Sequence, residues 1–118
     1  MEYVLNDNLS KEELMNLGFT NHRKKYLYYQ KTLHVYNNYF DMISLCISIK
    51  LDKDEHLTNE YKIMVIDELY LQPYLPFYDE NAGCFREVLN IVKENFDKKM
   101  NILVENGVFK KKDIVKTL

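Results

Sequence analysis

The chain has 118 residues, 47% hydrophobic and 29% charged, with 16 Lys and Arg against 18 Asp and Glu for a formal net charge of −2. That length fits one domain that buries a little under ~70% of its unfolded surface and needs no metal or disulfide staple. The charge balance excludes a domain whose affinity for nucleic acid rests on an overall basic excess, and leaves that role to a local patch.

Cys46 and Cys84 form no CxxC pattern and belong to no His/Cys cluster with zinc spacing, so both are expected to be buried free thiols. No run approaches the ~18 apolar residues of a membrane span. The segment Met1 to Ser10 lacks the basic and apolar regions of a secretory leader, so a reduced cytoplasmic setting is expected. Ten Tyr, six Phe, no Trp and three Gly reflect the residue usage of AT-rich coding sequence.

In chain order, the first element is a short helix. Ser10-Lys11-Glu12-Glu13 has the capping-box pattern, Leu14, Met15 and Leu17 follow, and Gly18 stands where a left-handed C-cap is needed, with Phe19 packing behind it. Lys25 to Leu33, rich in Tyr, Leu and Thr, is expected to be a strand. Asn37-Asn38, between Val35 and Phe40, marks a turn.

Met42 to Leu51 carries the clearest signal. Ile43, Leu45, Ile47, Ile49 and Leu51 alternate with Met42, Ser44, Cys46, Ser48 and Lys50, as in a strand buried on one side. The polar loop Asp52 to Asn59 leads to a second strand, Glu60 to Glu68, in an antiparallel hairpin. Pro73 and Pro76 then make an irregular aromatic crossing, since neither helix nor inner strand tolerates that spacing.

From Cys84 to Asn106 apolar residues fall at Phe85, Val88, Leu89, Val92, Phe96, Met100 and Leu103, which is helical spacing, with Gly107 as C-cap and Val108 placed to pack back onto the last turn. The tail Lys110 to Leu118 reads as one more turn. The expected fold is α+β, one domain over residues 1–118: a small antiparallel sheet of about three strands packed on one long C-terminal helix, with a short N-terminal helix. The buried set should include Ile43, Leu45, Ile47 and Ile49 with Phe85, Val88, Val92 and Phe96. Met42–Leu51 should lie between the other two strands, because an apolar strand with one cation is hazardous at an edge.

Candidate functional residues fall into two groups. Arg23, Lys24, Lys25 and Tyr26, following His22 and preceding Tyr28 and Tyr29, combine cations for phosphates with rings for bases. Tyr70, Gln72, Tyr74 and Tyr78 lie in the Pro-stiffened segment, where rigid rings make protein-contact surface at low entropic cost. Asp52-Lys53-Asp54-Glu55-His56 invites a calcium loop, but the sixth and twelfth places hold Leu57 and Ile63 rather than Gly and Glu. His22, His34 and His56 have no metal-ligand spacing, and there is no GxGxxG, P-loop or GxSxG. Neither an enzyme nor a cofactor is expected, although Cys84 near a helix start is where an activated thiol would sit.

Leu14-Met15-Asn16-Leu17-Gly18-Phe19, the Ile43–Ile49 strand, Val65-Ile66-Asp67-Glu68 running into Leu71-Gln72-Pro73-Tyr74, and the closing Leu103-Val104-Glu105-Asn106-Gly107-Val108 resemble small uncharacterised proteins from phages and mobile elements of low-GC Gram-positive bacteria. The resemblance implies a protein that binds another macromolecule and implies no catalytic residues. The expected function is therefore a non-enzymatic protein-interaction domain, with a nucleic-acid-binding accessory protein using segment 22–29 as the alternative. No membrane is involved, and the mildly polar face Ser44, Cys46, Ser48 leaves monomer and homodimer both open.

Overall fold

A computed structural model describes residues 2–35 and 42–112. Strand β1 (Glu2–Leu5) is followed by helix α1 (Lys11–Asn16), then β2 (Thr20–His22), β3 (Tyr26–Val35), β4 (Met42–Leu51), β5 (Leu57–Asp67), β6 (Gln72–Pro73), the one-turn helix α2 (Leu75–Tyr78), the long helix α3 (Arg86–Glu105) and β7 (Phe109–Lys112). The fold is α+β, but the three-stranded sheet is overturned. Five antiparallel strands run in the order β2-β3-β4-β5-β6, and β1 and β7 form a separate two-stranded ribbon, so the described residues are mostly sheet, with three helices.

The missed strands share one physical reason: they are too short to show a period. β2 has three residues and β6 has two, and β6 holds Pro73, which the sheet tolerates because the strand lies at its edge. β7 replaces the helical turn expected over 110–112, and the rest of that tail and the Asn37–Asn38 turn lie outside the described residues. β4 does lie between β3 and β5, pairing Ile47 with Tyr29 on one side and Ile63 on the other. The edges that remain are the two shortest strands of the sheet, which limits pairing with other chains.

The three helix ends marked by Ser10, Gly18 and Gly107 form as the sequence indicates. Ser10 Oγ accepts from the Glu13 backbone N–H at 3.1 Å. Gly18 takes φ +109°, with Gly18 N donating to Met15 O and Phe19 N to Leu14 O, both at 3.1 Å. At the end of α3, Gly107 takes φ +77°, with Gly107 N donating to Val104 O at 3.0 Å and Val108 N to Leu103 O at 2.9 Å. Phe19 and Val108 are buried at these turns.

One face of the five-stranded sheet makes the core. Leu27 and Tyr29 from β3, Ile43, Leu45, Ile47, Ile49 and Leu51 from β4, and Val65 from β5 are buried together with Leu89, Val92, Met100 and Leu103 of α3 and Leu14 of α1. Asn95 on α3 donates to Leu33 O at 2.8 Å, fastening helix to β3. Phe96 and Val88 are only partly buried, Phe96 packing edge-on against Tyr3 and Phe77. Phe85 corrects the expected core: the helix starts at Arg86, and Phe85, as its N-cap, is 80% exposed.

The core assignment makes two stability values unequal. Ile47→Ala should cost about 2–5 kcal/mol in urea unfolding, as a fully buried aliphatic at the centre of the sheet. Phe85→Ala should stay within about 0.5 kcal/mol of the parent chain, as a surface change.

Candidate functional site

The sheet face opposite the core is built from alternate residues of the same strands. Its rows are set by register: His22 beside Tyr26 beside Lys50; Tyr28 beside Ser48 beside Lys62; Gln30 beside Cys46 beside Met64; Thr32 beside Ser44 beside Ile66. The small side chains of β4 form a floor between taller neighbours on β3 and β5. Cys46 and Ser44 are buried there, although they point away from the helices. Ser44 Oγ has no hydrogen-bond partner among the described residues.

This face is polar but locally dry. The Tyr28 hydroxyl donates to the Cys46 sulfur, and burial together with that bond and the nearby Glu68 charge pushes the Tyr28 pKa well above its ordinary value. Burial also raises the Cys46 thiol, opposed by the Tyr28 bond. Gln30 donates to Glu68 across the sheet. Toward the β2 end the face opens into a concavity of about 700 Å³ lined by His22, Tyr26, Tyr28, Ser48, Lys50 and Lys62, with Asn59, Glu60 and Tyr61 completing the wall. Lys50 reaches Glu60 at 3.4 Å.

Arg23 and Lys24 form the turn between β2 and β3, closed by Lys25 N donating to His22 O at 3.1 Å. Both central residues have positive φ, 53° and 59°, a conformation that Asn and Gly adopt more easily than Arg or Lys. Lys25 lies just before β3 and is exposed, and Tyr26 is 42% exposed on the open face. Beside this turn, Glu55 accepts from Lys11 at 3.0 Å and from Asn21 at 3.1 Å, which holds its carboxyl below the usual carboxylate range.

Asp52, Asp54 and His56 cluster at the tip of the β4–β5 hairpin, all exposed. Asp52 Oδ1 accepts from the backbone N–H of Asp54 at 2.9 Å and of His56 at 2.8 Å, the His56 bond being the main cause that lowers its pKa. The cluster caps its own turn.

The second group of candidates lies at the other end of β4, where Ile43 pairs with Asp67 and Glu68 N donates to Met42 O. The β5–β6 hairpin tip carries Leu69, Tyr70 and Leu71, exposed by 49%, 67% and 82%. Asp67 Oδ1 accepts from Leu69 N at 3.0 Å, fixing the turn. Leu71 has φ +52°, a strained conformation for a leucine. Gln72 is exposed on β6. Tyr74 is buried, correcting its place among the surface tyrosines. Tyr78 is half exposed, and its hydroxyl accepts from Val65 N at 2.8 Å. Cys84 is exposed, against the expectation of burial, while Cys46 is buried as expected.

The structure thus brings Tyr26 together with His22, Tyr28, Lys50 and Lys62, and keeps that cluster a strand's length from Tyr70, Gln72 and Tyr78. Alternation along β3 and β4 carried the signal for the first cluster, since Tyr26 and Tyr28 share a parity, as do Ser48 and Lys50; only the pairing register was missing. Leu71 carried none, because nothing in Tyr70-Leu71-Gln72 marks the leucine for a hairpin tip.

An α+β domain with one helix-covered and one open sheet face is the class this geometry defines. No protein-family model matches the sequence, and no curated protein matches it. The fold is shared with the crystal structure of a DUF1831 family protein from Lactobacillus plantarum, at a TM-score of 0.65 and 17% identity, covering 92% of this chain and 84% of that one. Identity that low establishes the common fold alone. Among the described residues no helix is long and apolar enough to cross a membrane.

The Tyr28 hydroxyl and the Cys46 thiol set an alkaline limit. Tyr28 and Cys46 hold their protons to higher pH in the folded chain than in the unfolded one, whose groups titrate near their ordinary 10.0 and 9.0. The unfolded state therefore binds fewer protons there, so stability is fully present below about pH 9 and declines as pH rises further. Urea midpoints measured from pH 7 to 11 should show this fall, and Tyr28→Phe should reduce its slope.

Proposed function

We propose that this chain is a non-enzymatic interaction domain that binds another protein through the β5–β6 tip. The observation that carries the reading is Leu71: four-fifths exposed, at positive φ, in a turn position where Asn or Gly relieves strain of about 1–3 kcal/mol. A chain that keeps a strained leucine in water at the end of a rigid hairpin retains it for contact rather than for folding. Leu69 and Tyr70 extend the same apolar tip, and Leu75 and Tyr78, both more than half exposed, follow it directly in the chain. The bonds from Asp67 to Leu69 and from Val65 to Tyr78 hold this surface in place before binding, so little ordering entropy remains to be lost.

The exposed free thiol of Cys84 fits a reducing, cytoplasmic setting, and the resemblance to phage and mobile-element proteins fits a chain that works by engaging a host or element component. Tyr70, Gln72 and Tyr78 remain the contact residues, joined by Leu69 and Leu71 in place of Tyr74.

The test separates contact from stability. Leu71→Asn should leave the melting temperature unchanged or raised and abolish partner capture. A photo-crosslinking side chain at position 70 should give a discrete adduct in cells that Leu71→Asn removes, whereas the same group at Lys98, on the solvent face of α3, should give none. An adduct of two chain masses identifies a second copy as the partner. Equal adducts from both positions, or capture indifferent to Leu71, overturn the reading.

A further inference from the structure

The concavity at the β2 end of the open face is independent of the apolar tip and carries different chemistry. Tyr26 and Tyr28 stand on the same face of β3, two residues and hence roughly 7 Å apart, about twice the 3.4 Å per nucleotide of a stacked strand. Their rings flank a depression whose cations are Lys50 and Lys62, with His22 across from Tyr26. Lys50 is engaged by Glu60, while Lys62 makes no ion pair among the described residues. Arg23 and Lys24 add charge at the rim, in a turn whose positive φ angles would suit Asn-Gly better, so the cations are kept there against local conformational preference. The same turn residues, Arg23, Lys24 and Lys25, also line a neighbouring hollow with Asp52, Lys53 and Glu55. The concavity itself holds two lysines, Lys50 and Lys62, and one carboxylate, Glu60, in a chain whose net charge is negative.

From this arrangement we infer that the open sheet face binds single-stranded nucleic acid. Bases stack on Tyr26 and Tyr28, and phosphates meet Lys62 and the Arg23–Lys24 turn. An antiparallel sheet with aromatic rings on its uncovered face offers stacking that tolerates any base, and flanking cations neutralise the backbone. The site is open rather than enclosed. Ser48 leaves a low gap between Tyr28 and Lys62, which suits a strand laid across the sheet better than a free nucleotide. Duplex bases, stacked inside their helix, are out of reach of rings on a sheet face.

Fluorescence anisotropy with labelled oligothymidylate and oligouridylate, against a duplex of equal length, tests this. Single strands should bind and the duplex more weakly, with affinity falling as salt rises by a log–log slope of roughly −0.7 per phosphate contacted. Tyr26→Ala should weaken binding on the order of tenfold, and Tyr26→Phe should leave it unchanged, since stacking needs the ring and not the hydroxyl. Arg23→Asn with Lys24→Gly should lower the salt slope without lowering the melting temperature. Leu71→Asn should bind the oligonucleotide as the parent does, which keeps this site separable from the protein-contact tip. Absence of binding at low salt, duplex binding as tight as single-strand binding, or affinity indifferent to Tyr26→Ala in a chain with unchanged circular dichroism each overturns the inference.

Discussion

Five aliphatic side chains on one face of β4 set the rest of the architecture. Ile43, Leu45, Ile47, Ile49 and Leu51 are each at most 4% exposed, and burying such side chains is worth roughly 1.5–3 kcal/mol apiece. A single helix must span that row, and α3 does so with Leu89, Val92, Met100 and Leu103. The row also decides the order of strands, because a strand so apolar needs paired neighbours on both sides. Its other parity, Met42, Ser44, Cys46, Ser48 and Lys50, then has to face away from the helix. The open face exists because the core consumed one parity of β4 and left the other.

Two glycines translate that packing into chain direction. Gly18 ends α1 so that Phe19 turns into the core against Tyr29, with ring centroids 4.9 Å apart. Gly107 ends α3 so that Val108 and Phe109 are buried and the chain turns back along β1. Asn6 completes this second turn, its side chain donating to Gly107 O at 2.7 Å and its backbone N–H to Val108 O at 2.9 Å. At both glycines an L side chain would carry the strain of positive φ, so these turns are fixed by residue type as well as by tertiary contact.

The periodic and the capped parts of this fold were legible in the sequence, and the parts held only by distant partners were not. Ile43 to Leu51 alternates long enough to identify a strand and its buried face, and the Ser10, Gly18 and Gly107 signals are local hydrogen-bond chemistry within five residues. Glu2–Leu5 and Phe109–Lys112 are strands only because each finds the other across almost the whole chain, and nothing in four residues announces that. Phe85 shows the opposite failure: it continues the helical spacing of Val88 and Val92, yet the helix begins one residue after it and it never reaches the core. The basic–aromatic cluster was half visible. Its β3 members adjoin one another in sequence, whereas Lys62 joins them only through the β4–β5 register. Tyr74 is buried and Leu71 exposed for a reason no local pattern contains: β6 pairs with Ile66 and Asp67, which turns Tyr74 inward and lifts Leu71 to the hairpin tip.

The ribbon of β1 and β7 has a mechanical consequence. Its outermost pair is Glu2 with Lys112 and its innermost is Leu5 with Phe109. A force drawing the two ends of the described residues apart therefore loads the ribbon one rung at a time, as in unzipping, and meets the five-stranded sheet at the second rung, where the Tyr61 hydroxyl on β5 donates to Tyr3 O at 2.8 Å. The ribbon is thus a clasp riveted to the sheet by one side chain: Tyr61, which bonds one of its strands and packs on Phe109 of the other, passes the load from ribbon to sheet.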